Sequence, residues 1–106
     1  MATSIPAADV DRIIFACEAG MGSSLMGVNA LKKKLQSANL KVAVEHKAAR
    51  AIPADAKVVI THKGLAATVR KNVPDAVVVS FSQFLNDPAF DRVVNQLKNG
   101  EAVTEG

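Results

Sequence analysis

Residues 12–24 read RIIFACEAGMGSS. The apolar run Ile13-Ile14-Phe15-Ala16 ends at Cys17, and two glycines and two serines follow before apolar residues resume at helical spacing from Leu25. A buried strand, a small-residue loop and a helix, in that order, form the opening unit of a sheet whose strands are joined by helices. Cys17 is the only cysteine in 106 residues. No internal disulfide is therefore available, which fits a reducing, cytoplasmic setting and leaves the thiol free.

Outward from this stretch, Lys41–His46, Lys57–Thr61 and Ala76–Ser80 join Arg12–Cys17 as short β-like runs. Val58-Val59-Ile60 and Val77-Val78-Val79 are too uniformly apolar for a sheet with one wet face, so parallel pairing under helices on both sides is expected. Composition agrees: 49% of residues are apolar, yet there are four Phe and neither Trp nor Tyr. The core is then built mostly from Val, Ile, Leu and Ala. Met21, Leu25, Val28, Leu31 and Leu35 trace a first helix flanked by Lys32–Lys34, with Asn39 as its stop. Leu65, Val69 and Val73 trace a shorter second helix that Pro74 ends. Asp87 as cap, Pro88 in the first position, the stripe Phe90, Val93, Val94, Leu97 and the stop Gly100 define the third. Ala48–Asp55, interrupted by Pro53, reads as a loop. Residues 1–10 and 99–106 lack periodicity and read as tails or linkers around a domain at 11–98.

With right-handed crossovers these elements make an α/β fold, a small doubly wound four-stranded parallel sheet in order 2-1-3-4 with helices on both faces, Rossmann-like in plan. Ligands of such sheets bind beyond the carboxyl ends of the strands, where the winding reverses. The loop that starts at Cys17 is at that point. Net charge is +3 but dispersed, so no nucleic-acid partner is expected, and the basic surface equally suits an acidic protein. No apolar run approaches the roughly 18–20 residues of a membrane span, so no direct membrane insertion is expected, and a secretory signal pattern is not seen.

Gly20 and Gly22 permit positive φ and let backbone amides converge, while the start of the first helix adds unpaired N–H donors and a partial positive charge. That is a cradle for an anion. The same field lowers the pKa of a thiol at its edge, and the hydroxyls of Ser23 and Ser24 can donate to phosphoryl oxygens. Cys17 is thus read as a nucleophile that carries a phosphoryl group, with Glu18, Ala19, Gly20, Met21, Gly22, Ser23 and Ser24 holding the phosphate. A buried structural cysteine is the alternative. A dinucleotide fingerprint fails for want of a third glycine, although Glu45 stands where a ribose-binding acid can be, and a Walker loop fails for want of a lysine. A low-molecular-weight phosphatase loop needs an arginine six positions after the cysteine. Ser23 stands there, so the clamp on the equatorial oxygens is missing.

These residues resemble something specific. Ala16-Cys17-Glu18-Ala19-Gly20-Met21-Gly22-Ser23-Ser24, with Met26-Gly27 after it and Val59-Ile60-Thr61-His62-Lys63 further on, resembles the IIB domain of the mannitol-type permeases of the bacterial phosphoenolpyruvate-dependent sugar phosphotransferase system (PTS). The likeness runs from about Arg12 to Leu97. It implies a relay in which a IIA phosphohistidine passes its phosphoryl group to Cys17, which hands it to a sugar alcohol on the membrane-embedded IIC domain at the inner face of the membrane. It implies no cofactor. A regulatory domain that signals through cysteine phosphorylation carries a similar sequence and remains the second reading.

His62, just past the third strand, can hydrogen-bond Cys17 or its phosphate, and satisfying a strand end is an equal alternative. His46 has a weaker version of the same claim. Two histidines and one cysteine without ligand spacing do not make a metal site, so none is expected. Met21 and Met26 suit either a soft partner surface or, more commonly, helix-core packing.

Overall fold

The structure, a computed structural model, describes residues 4–17, 23–82 and 88–104, with backbone alone at 17 and 23–25. The described elements are β1 (Ser4–Ile5), a 3-10 turn (Ala7–Asp9), β2 (Arg12–Cys17), α1 (Ser23–Ser37), β3 (Ala43–Ala48), β4 (Val58–His62), α2 (Ala66–Asn72), β5 (Val77–Phe81), α3 (Pro88–Lys98) and β6 (Val103–Thr104). Four of the strands form one sheet in the order β3-β2-β4-β5, and all three pairings are parallel. This is the expected α/β sheet and order. Among the described residues no helix is long and apolar enough to cross a membrane.

Strand alternation sorts the core into two layers. Ile13, Phe15, Val58, Ile60, Val77, Val79 and Phe81 pack with the inner faces of α1 and α3. Ile14, Ala16, Val59 and Val78 pack with α2 and with Ala49 and Ala56 of the β3–β4 connection. On the first side Phe15, Phe81 and Phe90 stack with ring centroids 5.3, 6.1 and 5.1 Å apart. Such tilted pairs add about 0.5–1.5 kcal/mol each beyond area burial. α1 comes so close to this cluster that a Cβ on Gly27 would lie 2.6 Å from the Phe15 ring. The glycine costs helix propensity but admits the ring.

Helix ends follow the expected chemistry. Asn39 has φ 58° and Gly100 φ 73°. Each lets the chain close a Schellman motif, with Asn39 N–H donating to Gln36 O and Leu40 N–H to Leu35 O, and Gly100 N–H to Leu97 O and Glu101 N–H to Gln96 O. Lys34 on α1 pairs with Asp91 on α3 at 2.8 Å, an exposed contact worth about 0–1 kcal/mol. Asp87, the expected cap of α3, lies outside the described residues.

Three expectations change. The second sheet strand runs from Ala43 to Ala48 rather than from Lys41 to His46. After the turn at Asn39 the chain first has to cross to the sheet, where pairing starts with Ala43 N–H donating to Asp11 O. Met26, for which core packing is the commoner use, is half-exposed at 50%. The end segments, expected to lack regular structure, instead pair as antiparallel β1 and β6, with Ser4 opposite Thr104 and Ile5 opposite Val103. Val103 is 0% exposed and belongs to the core, and α3 holds β6 through Arg92 Nη2 to Thr104 O at 3.3 Å and Gln96 Nε2 to Thr104 Oγ1 at 3.2 Å. A two-residue strand carries too little periodicity to be seen in sequence.

Gly27→Ala should destabilise the protein by about 1–3 kcal/mol through overpacking against Phe15, despite alanine's better helix propensity, as read by urea denaturation. An unchanged or higher midpoint would mean that Phe15 yields. Removing residues 101–106 should cost about 1.5–3 kcal/mol for the lost burial of Val103, visible in the same titration; no change would make β6 an ornament of the fold.

Candidate functional site

β2 is central in the sheet, and it delivers Cys17 to the carboxyl edge. Cys17 pairs with Ala48, the last register position between β2 and β3. On the other side the β2–β4 ladder ends at Ala16 opposite Thr61. Cys17 and His62 are the residues that follow this last pair on their two strands. α1 follows β2 and leads back to β3, so its first turn starts at this same edge. Ser23 and Ser24 are its first two residues, and the N–H groups of that turn have no acceptor inside the helix. Of the other expected phosphate-holding residues, Glu18, Ala19, Gly20, Met21 and Gly22 lie outside the described residues.

His62 is held by its own turn. Gly64 N–H donates to His62 Nδ1 at 3.1 Å, which assigns the proton of the neutral ring to Nε2. The ring stands edge-on to Phe81, centroids 5.8 Å apart at 89°. Leu65 N–H donates to His62 O at 2.8 Å and Lys63 N–H to Phe81 O at 2.9 Å, closing the turn against β5. A Cβ on Gly64 would lie 3.3 Å from Nδ1, so the glycine lets backbone and ring meet. Lys63 is exposed at this edge. His46 is paired with Phe15 on the outer strand β3, two register positions short of Cys17, and is not brought to the edge. Among the described residues no three of His, Cys, Asp and Glu form a metal-holding group.

Thr61 is the residue whose part was not read from the sequence. It is 0% exposed, and its hydroxyl donates to Ala16 O at 3.1 Å. The only available signal was a hydroxyl at the end of an otherwise apolar run, Val58-Val59-Ile60. The carboxyl edge thus carries a thiol-bearing strand end, a helix start and an imidazole of fixed tautomer, with an exposed lysine next in sequence. Such a set suits a transient negative charge at the sheet edge.

Comparison with known proteins bears on what that charge is. The chain is 41% identical over 97 residues to the PTS system mannitol-specific EIICB component of Bacillus subtilis (strain 168), covering 92% of this chain and 20% of that protein. It is 43% identical over 91 residues to the mannitol-specific EIICB component of Geobacillus stearothermophilus, covering 86% and 19%. It is also 43% identical over 88 residues to the mannitol-specific cryptic EIICB component of Escherichia coli (strain K12), covering 83% and 19%. The chain therefore spans about a fifth of the length of these relatives. The family model described as "PTS system, Lactose/Cellobiose specific IIB subunit" matches residues 12–96, from the first residue of β2 to within α3, and the chain belongs to this family of PTS IIB components.

Proposed function

We propose that the chain is a phosphocarrier in which Cys17 accepts a phosphoryl group from a IIA phosphohistidine and passes it to a sugar alcohol bound by a membrane-embedded IIC domain. The Cys17 thiolate attacks phosphorus; the P–S bond forms, the P–N bond breaks, and the imidazole nitrogen keeps the bonding pair. A sugar hydroxyl then attacks the same phosphorus. The P–O bond forms, the P–S bond breaks, the hydroxyl proton passes to a base on the acceptor side, and the thiolate returns. The EIICB relatives support a IIC partner and mannitol as the sugar. This work belongs at the cytoplasmic face of a bacterial membrane.

The observation that carries the reading is the position of Cys17, the last residue of a central parallel strand, with α1 beginning at Ser23 after five residues. In this reading the amides of Glu18 to Ser24 and the hydroxyls of Ser23 and Ser24 hold the phosphoryl oxygens, and His62 donates Nε2–H to the same charge. Ser23, in place of the arginine of a phosphatase loop, favours holding the phosphocysteine over hydrolysing it.

Incubation with phosphoenolpyruvate, enzyme I, the histidine carrier protein and a mannitol-type IIA domain should add one phosphoryl mass to the protein and none to Cys17→Ser, as read by intact mass spectrometry. No adduct with several competent IIA domains would overturn the reading. His62→Ala should still form the adduct but about 10–150-fold more slowly, the worth of one hydrogen bond to a charged group at about 1.5–3 kcal/mol. A rate equal to wild type in rapid-quench sampling would confine His62 to its turn.

A further inference from the structure

From the buried hydroxyl of Thr61 we infer that this residue positions the Cys17 nucleophile through the peptide that precedes it, an inference that rests on the phosphocarrier reading of Cys17. β4 is a strand of fully buried Val58, Val59 and Ile60, followed by a residue equally buried but hydroxylated. For packing alone valine is the isostere, and a buried hydroxyl is tolerated only if it is hydrogen-bonded. Thr61 is the one polar residue in the buried class among the described residues. Its hydroxyl reaches neither solvent nor a helix; it donates to the carbonyl of Ala16 at 3.1 Å.

That carbonyl belongs to the peptide unit whose N–H is that of Cys17. The unit is planar, so fixing the direction of Ala16 O fixes the plane in which Cys17 leaves the sheet. The position matters because the ladder with β4 ends at the Ala16–Thr61 pair. Beyond it Cys17 keeps backbone pairing on the β3 side only, and β4 contributes the side-chain bond of Thr61 in place of further rungs. A swing of this peptide would move the residue that bears the sulfur relative to the start of α1. Å-scale misplacement of a reacting atom is enough to lose rate. Thr61 touches no substrate in this scheme, so it is a positioning residue and not a catalytic one.

The test reads the thiol itself and needs no phosphotransfer partner, so it can fail independently of the phosphocarrier reading. Iodoacetamide alkylation of Cys17 is followed across pH in wild type, Thr61→Val and Thr61→Ser, with thermal unfolding of each as the control. Thr61→Val should slow alkylation at pH 7 at least threefold and move the midpoint of the pH profile upward, whereas Thr61→Ser, which keeps the hydroxyl, should follow wild type. A valine profile superimposed on wild type overturns the inference, and so does a serine profile displaced as far as valine's. Thr61→Ala serves if the valine variant does not fold. Failure of both hydroxyl-free variants to fold, with serine folding, would assign the hydroxyl to strand stability and overturn positioning as well.

Discussion

Burial of β2 from every side is the constraint on which the rest depends. It has β3 and β4 as hydrogen-bonded neighbours, α1 and α3 on one face and α2 on the other. The residues between its ends are fully or almost fully buried, and Arg12 and Cys17 are those ends. At the amino edge Arg12 meets Glu45 at 3.3 Å and Asp55 at 3.0 Å. The carboxyl end of the strand is Cys17. The same enclosure that requires Ile13, Ile14 and Phe15 to be apolar holds the backbone of Cys17 still, since a residue at the end of a rigid strand inherits the precision of the core.

The two layers of the core do different work. The layer under α1 and α3 holds the Phe15, Phe81 and Phe90 rings, and Phe81 extends it to the site by meeting the edge of His62. The layer under α2 is made of smaller side chains, and it admits Thr61. At Gly27 and Gly64 the backbone is brought close to a ring. At Gly27 a Cβ would meet the ring at 2.6 Å, and at Gly64 it would crowd the imidazole at 3.3 Å.

The fold was legible wherever apolar runs and breakers recur at regular spacing. Val58–Ile60, Val77–Val79, Pro74, Pro88 and Gly100 specify strands, boundaries and helix stops with local chemistry alone, and the sheet order follows from crossover handedness. β3 was less legible, because an edge strand alternates weakly: Glu45, His46 and Lys47 give no apolar rhythm from which to place its ends. β1 and β6 are too short to signal at all, and their pairing is a tertiary fact. At the site, Cys17 announces itself as a lone thiol before a glycine loop. The bond between Thr61 and Ala16 does not, since residues 45 positions apart meet only once the β2–β4 register is known. The tautomer of His62 depends likewise on where Gly64 N–H points.

The ribbon of β1 and β6 also determines how the domain bears mechanical load. Ser4 and Thr104 are paired neighbours, so tension applied through the two ends opens the ribbon one rung at a time, in the weak zipper direction. β2 runs between β3 and β4 in the other sheet. Such a pull is taken up first by the two rungs Ser4–Thr104 and Ile5–Val103, ahead of the four-stranded sheet that ends in the thiol-bearing residue.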